Sequence, residues 1–126
     1  MVFCMIIAIT GYPKAGKSTV GGVLAVRTGK ELISTDQYID SFSFSDTPSG
    51  IIEAISDKKD YIIEGVAVAR MLKRGFNEKT WVPDKVYWVF GGETKNPISK
   101  STFNAFKTWF DTSNLPYEII WDLGQL

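Results

Sequence analysis

The stretch GYPKAGKST, residues 11–19, follows the apolar run MVFCMIIAI of residues 1–9, with only Thr10 between them. Gly11 and Gly16 leave no Cβ in the way, so backbone N–H groups between them can converge on a small anion. A helix beginning near Lys17 would aim the positive end of its dipole at the same point. Lysine adds a mobile cation and serine a hard oxygen ligand. The pattern G-x-x-x-x-G-K-[ST] therefore reads as a cradle for a nucleoside triphosphate. In it Gly11, Lys14, Ala15, Gly16, Lys17, Ser18 and Thr19 bind the phosphates. Lys17 reaches the β and γ phosphates, Ser18 is a ligand to Mg²⁺ and Thr19 adds a bond to the α phosphate. The plainer alternative is a glycine-rich turn with an exposed lysine.

The flanking sequence supplies the setting this cradle needs. Val2–Thr10 is a continuous apolar and β-branched run, the mark of a strand covered on both faces. Thr19–Arg27 reads as a helix with Val20, Val23, Leu24 and Val26 inward and Gly29 as its stop. ELIST (31–35) is a short second strand, DQYIDSF (36–42) is helical, and SFSDTPSG (43–50) is a loop. Thr47 is expected to cap a helix with Pro48 at its first position, running on through SGIIEAISDKK (49–59). DYIIEG (60–65) is a third buried strand. VAVARMLKR (66–74) is a helix, with Gly75 as its stop. KVYWVF (85–90) is a fourth strand, ISKSTFNAFKTWF (98–110) an amphipathic helix with Phe103, Phe106 and Phe110 inward, and YEIIW (117–121) a fifth strand. Five alternations of strand and helix in 126 residues predict a single α/β domain over 1–126, a three-layer sandwich around a five-stranded parallel sheet. Right-handed crossovers then put the functional loops at the carboxyl ends of the strands.

With Gly11, Pro13, Gly16, Lys17, Ser18 and Thr19 all in place, the stretch resembles the P-loop of the nucleotide and polynucleotide kinases within the P-loop NTPase superfamily. Lys14 departs from that pattern, standing where those kinases often carry glycine. The specific likeness covers residues 3–40 and, more loosely, 60–65. It implies ATP and Mg²⁺ as cofactors, and phosphoryl transfer to a hydroxyl or phosphate of a nucleotide-type acceptor, DNA and RNA among the candidates. A small nucleoside, nucleotide or sugar is the alternative acceptor.

The same likeness assigns the carboxylates. Asp36, just past the second strand, faces the acceptor hydroxyl as base or orienter. Ser34 and Gln37 also fit a capping box, so a helix start is the competing reading for this segment. Asp40 lies one turn further on, where a solvated face is the stronger reading. Glu64 ends a strand that lies beside the first in such kinases, and faces Mg²⁺ through water or faces the acceptor. A structural cap is its plainer role. Charge spreading over the γ oxygens calls for fixed cations, and of the three arginines Arg70 is the best placed; a surface ion pair is its alternative. Lys95 and Lys100 flank a short loop where related kinases carry a lid. Tyr38, Phe42 and Phe44 are the aromatics nearest a candidate acceptor base.

Composition narrows the classes. Lysine plus arginine equals aspartate plus glutamate at 14 each, so no net field favours nucleic acid or membrane. Histidine is absent, which excludes Ser-His triads and His-ligated metals and leaves carboxylates, lysine or water as general base. The one cysteine, Cys4, reads as a small buried hydrophobe and fits a cytoplasmic setting. The first nine residues lack a basic leader and are too short to span a membrane. An oligomer is left open. No N-K-x-D and no D-x-x-G after the third strand speak for a GTPase. A nucleotide-binding module without turnover is the remaining alternative.

Overall fold

Each apolar run of the sequence becomes a strand of one parallel sheet. The computed structural model describes residues 4–11, 17–43, 46–65, 67–89, 104, 105, 108, 112 and 117–120; for residues 39, 40 and 117–120 it describes the backbone alone. In chain order the elements are β1 (Ile6–Gly11), α1 (Lys17–Thr28), β2 (Glu31–Ser34), a 3-10 helix (Thr35–Ser41), α2 (Thr47–Ala54), β3 (Tyr61–Glu64), α3 (Val68–Glu78), β4 (Lys85–Val89) and β5 (Tyr117–Ile120). Four parallel strands in the order β2-β3-β1-β4 form the body of the sheet, and β5 pairs with the outer side of β4. The register places Ile9 opposite Glu64, and Glu64 opposite Ser34, so the strands that end near the candidate site end level with one another.

Alternation along the strands divides the core in two. Ile7, Ile9, Ile62, Tyr87 and Val89 face Val20 and Leu24 of α1. Ala8, Ile33, Ile63, Val86 and Trp88 face Ile51 and Ile52 of α2 and Val68, Met71 and Leu72 of α3. A strand apolar at every position is stable only when both faces are covered, which is what the uninterrupted run in β1 implied. Each fully buried Ile or Leu contributes about 1.5–3 kcal/mol relative to exposure.

Several boundaries differ from the sequence reading. β1 begins at Ile6, and Cys4 is exposed, since the sheet covers the chain only where β3 and β4 flank it. On α1 the inward stripe is Lys17, Val20, Gly21 and Leu24, while Val26 is 87% exposed. Positions 17, 20, 21 and 24 keep the spacing of one helical face, and position 26 falls off it. Thr47 is the first residue of α2 rather than its cap, which puts Pro48 second, and the helix ends at Ala54. Ser43 organises that start: its carbonyl accepts from the Asp46 and Thr47 N–H groups at 3.0 Å each and from Thr47 Oγ1 at 2.8 Å.

Gly75 does not stop α3. The helix runs on to Glu78 and closes at Lys79, in left-handed conformation at φ 58°. The Lys79 N–H donates to the Phe76 carbonyl at 3.3 Å and the Thr80 N–H to the Gly75 carbonyl at 2.9 Å, the paired closure of a Schellman motif. Gly75 is needed because the chain returns over it: a Cβ there would lie 2.5 Å from the Trp81 carbonyl oxygen. Residues 104, 105, 108 and 112 are helical. The rest of the expected helix over 98–110, including Phe103, Phe106 and Phe110, and the loop carrying Lys95 and Lys100 lie outside the described residues.

Candidate functional site

The carboxyl ends of β1, β2 and β3 and the first turns of α1 and α3 meet at one edge of the sheet. Gly11 closes β1 there. A Cβ at this position would overlap the carbonyl oxygen of Val89 on β4, so glycine lets the strand end pack against its neighbour before the chain turns away. Lys14, Ala15 and Gly16 lie outside the described residues. Lys17 is the first residue of the 12-residue helix α1, whose first-turn N–H groups and dipole point back toward the same edge.

Lys17 is 94% buried, with a relative exposure of 6%. Burial lowers the pKa of its ammonium, because desolvation outweighs the opposing pull of Glu64 and Asp36, the two carboxylates that favour its charged form. An exposed lysine on a turn is therefore not what the fold builds. It builds a desolvated cation with two acids near it.

Glu64, at the end of β3, is 4% exposed. Its position follows from the helix above it. A Cβ on Gly21 would stand 3.6 Å from Glu64 Cγ, so Glu64 lies against the underside of α1. Lys17 and Ser18 are four and three residues before Gly21 and occupy the same side of the helix, one turn nearer its start. Lys17 and Glu64 thus come to one place, close enough for the Glu64 charge to act on the ammonium. Ser18 and Thr19, the next two residues of α1, are exposed. Among the described residues no three His, Cys, Asp or Glu side chains gather as a metal cage. One hydroxyl and one carboxylate fit Mg²⁺, which takes few protein ligands and draws the others from phosphate and water.

Asp36 is exposed and stands at the start of the 3-10 helix, directly beyond β2. Its N–H donates to Ser34 Oγ at 3.3 Å. The capping expected of Ser34 is present, with Asp36 rather than Gln37 as the donor. The cap and the acid therefore coexist: Ser34 fixes the backbone and Asp36 is exposed. Asp40 lies further along the same helix. Arg70 occupies the first turn of α3 and is half-buried, at the same edge of the sheet. Arg74, one turn on, is engaged with α2, where its Nη1 donates to Ser49 Oγ at 3.0 Å. Arg27 is at the opposite end of α1. Of the aromatics singled out near Asp36, Tyr38 and Phe42 pack against the core. The Phe42 ring lies 2.6 Å from where a Gly50 Cβ would be, which makes it part of the contact between the 3-10 helix and α2. Phe44 lies outside the described residues.

The glycine after Glu64 suggests open space beside the phosphates, but the structure gives that space to a threonine, and two threonines at this edge escaped the sequence reading. Gly65 has φ 147°, and a Cβ on it would overlap Thr35 Oγ1. Thr35 and Thr10 are both fully buried, and neither hydroxyl has a hydrogen-bond partner among the described residues. The available signal was a threonine at the end of each of two expected strands, one residue before a residue of the site.

No family model matches the chain, and no curated protein matches it by sequence. Solved structures do. Shikimate kinase from Acinetobacter baumannii, in complex with shikimate, is similar with a TM-score of 0.50 at 18% identity, over 70% of this chain and 57% of that one. Shikimate kinase from Bacteroides thetaiotaomicron is similar with a TM-score of 0.55 at 14% identity, over 95% of this chain and 87% of that one. The chain thus spans little more than half the length of the Acinetobacter protein. At these identities the likeness is one of fold alone: the chain shares the fold of these two shikimate kinases.

Proposed function

We propose that this chain is an ATP-dependent kinase that transfers the γ-phosphoryl group to a hydroxyl of a nucleotide-type acceptor. The observation that carries the reading is Lys17, buried at the start of α1 with Glu64 and Asp36 as the charges acting on it. A protein gains nothing in stability by desolvating an ammonium, and a bound phosphate chain adds the negative charge that offsets this cost. Bound ATP with Mg²⁺ supplies the phosphoryl group and neutralises much of its charge.

The chain's own residues do the rest. The N–H groups at the start of α1 and the Lys17 ammonium hold phosphate oxygens in a site of low dielectric, where their fields act strongly. Ser18 and Glu64 would hold Mg²⁺, which takes most of its other ligands from phosphate and water. Asp36 accepts a hydrogen bond from the acceptor hydroxyl and takes its proton as the new P–O bond forms. Arg70 stands where it can bind an acceptor phosphate or meet the charge spread over the γ oxygens. Gly11, Lys14, Ala15, Gly16 and Thr19 complete the cradle.

A small, non-nucleotide alcohol is the second reading, favoured by the fold shared with two shikimate kinases, one of them bound to shikimate. The test is a transfer assay with γ-labelled ATP over nucleosides, nucleotides, hydroxymethylated and plain oligonucleotides, sugars and shikimate. Label moving to a nucleotide or oligonucleotide hydroxyl supports the first reading, and label moving to shikimate or a sugar supports the second. GTP hydrolysis without any acceptor would overturn both.

A further inference from the structure

The register of the sheet lines up a polar row that the phosphate-binding side does not use. Ile9 stands opposite Glu64, and Glu64 opposite Ser34. The next residue on each strand is therefore level too: Thr10, Gly65 and Thr35. The ladder continues through this level, the Gly65 N–H donating to the Ile9 carbonyl at 3.2 Å. Thr10 shares its face with Ala8, on the α2 and α3 side of the sheet, whereas Glu64 faces α1. Thr35 lies on the side a Gly65 side chain would take, its Oγ1 leaning over the glycine. The row is thus a hydroxyl, a glycine gap and a hydroxyl, with Trp88 next along, level with Thr10. It contains no charged side chain.

Both threonines are 0% exposed, and both hydroxyls lack a hydrogen-bond partner among the described residues. Two buried hydroxyls left this way carry an uncompensated loss of hydration, a condition that folded proteins almost always relieve with a water or a ligand. Strands lie about 4.8 Å apart, so the two threonines, one strand removed from each other, stand about 10 Å apart at Cα. Thr35 Oγ1 already stands over Gly65, about one strand spacing from Thr10, so a single oxygen between the two hydroxyls can bridge them.

We propose that Thr10 and Thr35 together bind a neutral hydroxylic oxygen between their two hydroxyls, beside Gly65. That oxygen is either the acceptor's alcohol or a resident water. A hydroxyl both donates and accepts, which suits two threonines that can each do either. The position immediately before Asp36 and Gly11 puts it beside the reacting groups of the proposed kinase, and the acceptor form of the proposal rests on that reading.

Serine and alanine differ at these positions only by the hydroxyl, so each threonine is compared as Ser against Ala: Thr10→Ser with Thr10→Ala, and Thr35→Ser with Thr35→Ala. The full-length chain is used, and melting and transfer are both measured. If the oxygen is a resident water, each Ala variant melts below its Ser counterpart while acceptor KM is the same in both. If it is the acceptor's alcohol, the Ala variants melt no lower than the Ser variants. Their acceptor KM then rises about tenfold, the scale of one lost hydrogen bond, with the KM for ATP unmoved. Ala and Ser variants alike in both measurements, or Ala variants that melt higher with unchanged KM, would overturn the proposal. If no acceptor on the panel is phosphorylated, the kinase reading fails by itself. Melting then decides the site: lower melting of the Ala variants keeps it, and equal or higher melting removes it.

Discussion

Lys17 and Glu64 are costly residues to bury, and each makes the other tolerable. Substituting one alone leaves an uncompensated charge in the space below α1. Lys17→Met takes the cation from the buried Glu64 carboxylate, and Glu64→Gln removes the larger of the two carboxylate charges that oppose the burial of the ammonium. The double variant strands neither, so its loss of stability should fall short of the summed single losses by about 1–3 kcal/mol in urea unfolding. Additive losses would show that the two charges do not sense each other. Transfer behaves differently: Lys17→Met alone should abolish it, because the phosphate oxygens lose their cation. Asp36→Asn separates chemistry from binding. The carboxylate is exposed and its backbone is fixed by Ser34, so the variant should keep its fold and its affinity for ATP. Its transfer rate should fall by about 100-fold or more, the usual scale of general base catalysis; equal rates would remove Asp36 from the mechanism. Lysine, serine and aspartate were legible in the sequence because the loop motif fixes where they stand. The burial of Thr10 and Thr35 was not, since it depends on register between strands whose paired residues are 30 and 55 apart in the chain.

Glycines test what each helix owes to propensity and what it owes to its neighbours. Gly22, within α1, has open space for 4 Å around the point where a Cβ would stand, whereas a Cβ on Gly75, within α3, would lie 2.5 Å from the Trp81 carbonyl oxygen. Alanine is the better helix former by about 1 kcal/mol. Gly22→Ala should therefore raise stability by about 0.5–1 kcal/mol. Gly75→Ala has the same propensity gain but must push backbone away, and it should lower stability by about 1–3 kcal/mol. Denaturant midpoints of the two variants against the parent chain decide this, and a shift of the same sign in both would mean that α3 can move off Trp81. The contrast also explains why the end of α3 was misread. A glycine after a basic turn looks like a helix stop, and only the path of residues 79–81 shows that it is a packing site. Strands were easier: β1, β3 and β4 are apolar at almost every position, a pattern that burial on both faces dictates.

At the scale of the molecule the two edges of the sheet carry acids for opposite purposes. The carboxyl edge holds Glu64 and Asp36 near a desolvated lysine. The amino edge holds Asp60 and Asp84, and there the acids tie strands together. Asp84 Oδ2 accepts from the Ile6 N–H at 2.7 Å, and the Asp84 N–H donates to the Ile6 carbonyl at 2.8 Å, pinning β1 to the start of β4. Asp60 Oδ1 accepts from the Met5 N–H at 3.0 Å and pairs with the Lys30 ammonium, joining β1 and β3 to the turn between α1 and β2. Those bonds, the Lys30 contact first and the Met5 N–H second, hold the Asp60 carboxyl below the ordinary aspartate range. A carboxyl with a depressed folded pKa adds stability that is complete above its unfolded value, about 3.9, and is lost as pH falls through the folded value. Asparagine at this position keeps a carbonyl for Met5 but has no charge for Lys30. Asp60→Asn should therefore melt below the parent chain at pH 7, and the gap should close as both are taken below pH ~3.9, where the parent's own carboxylate takes up its proton. Because the amino edge is remote from the reacting groups, transfer by the folded variant at pH 7 should match the parent. A melting gap that persisted unchanged through acid would show that Asp60 acts by shape rather than charge.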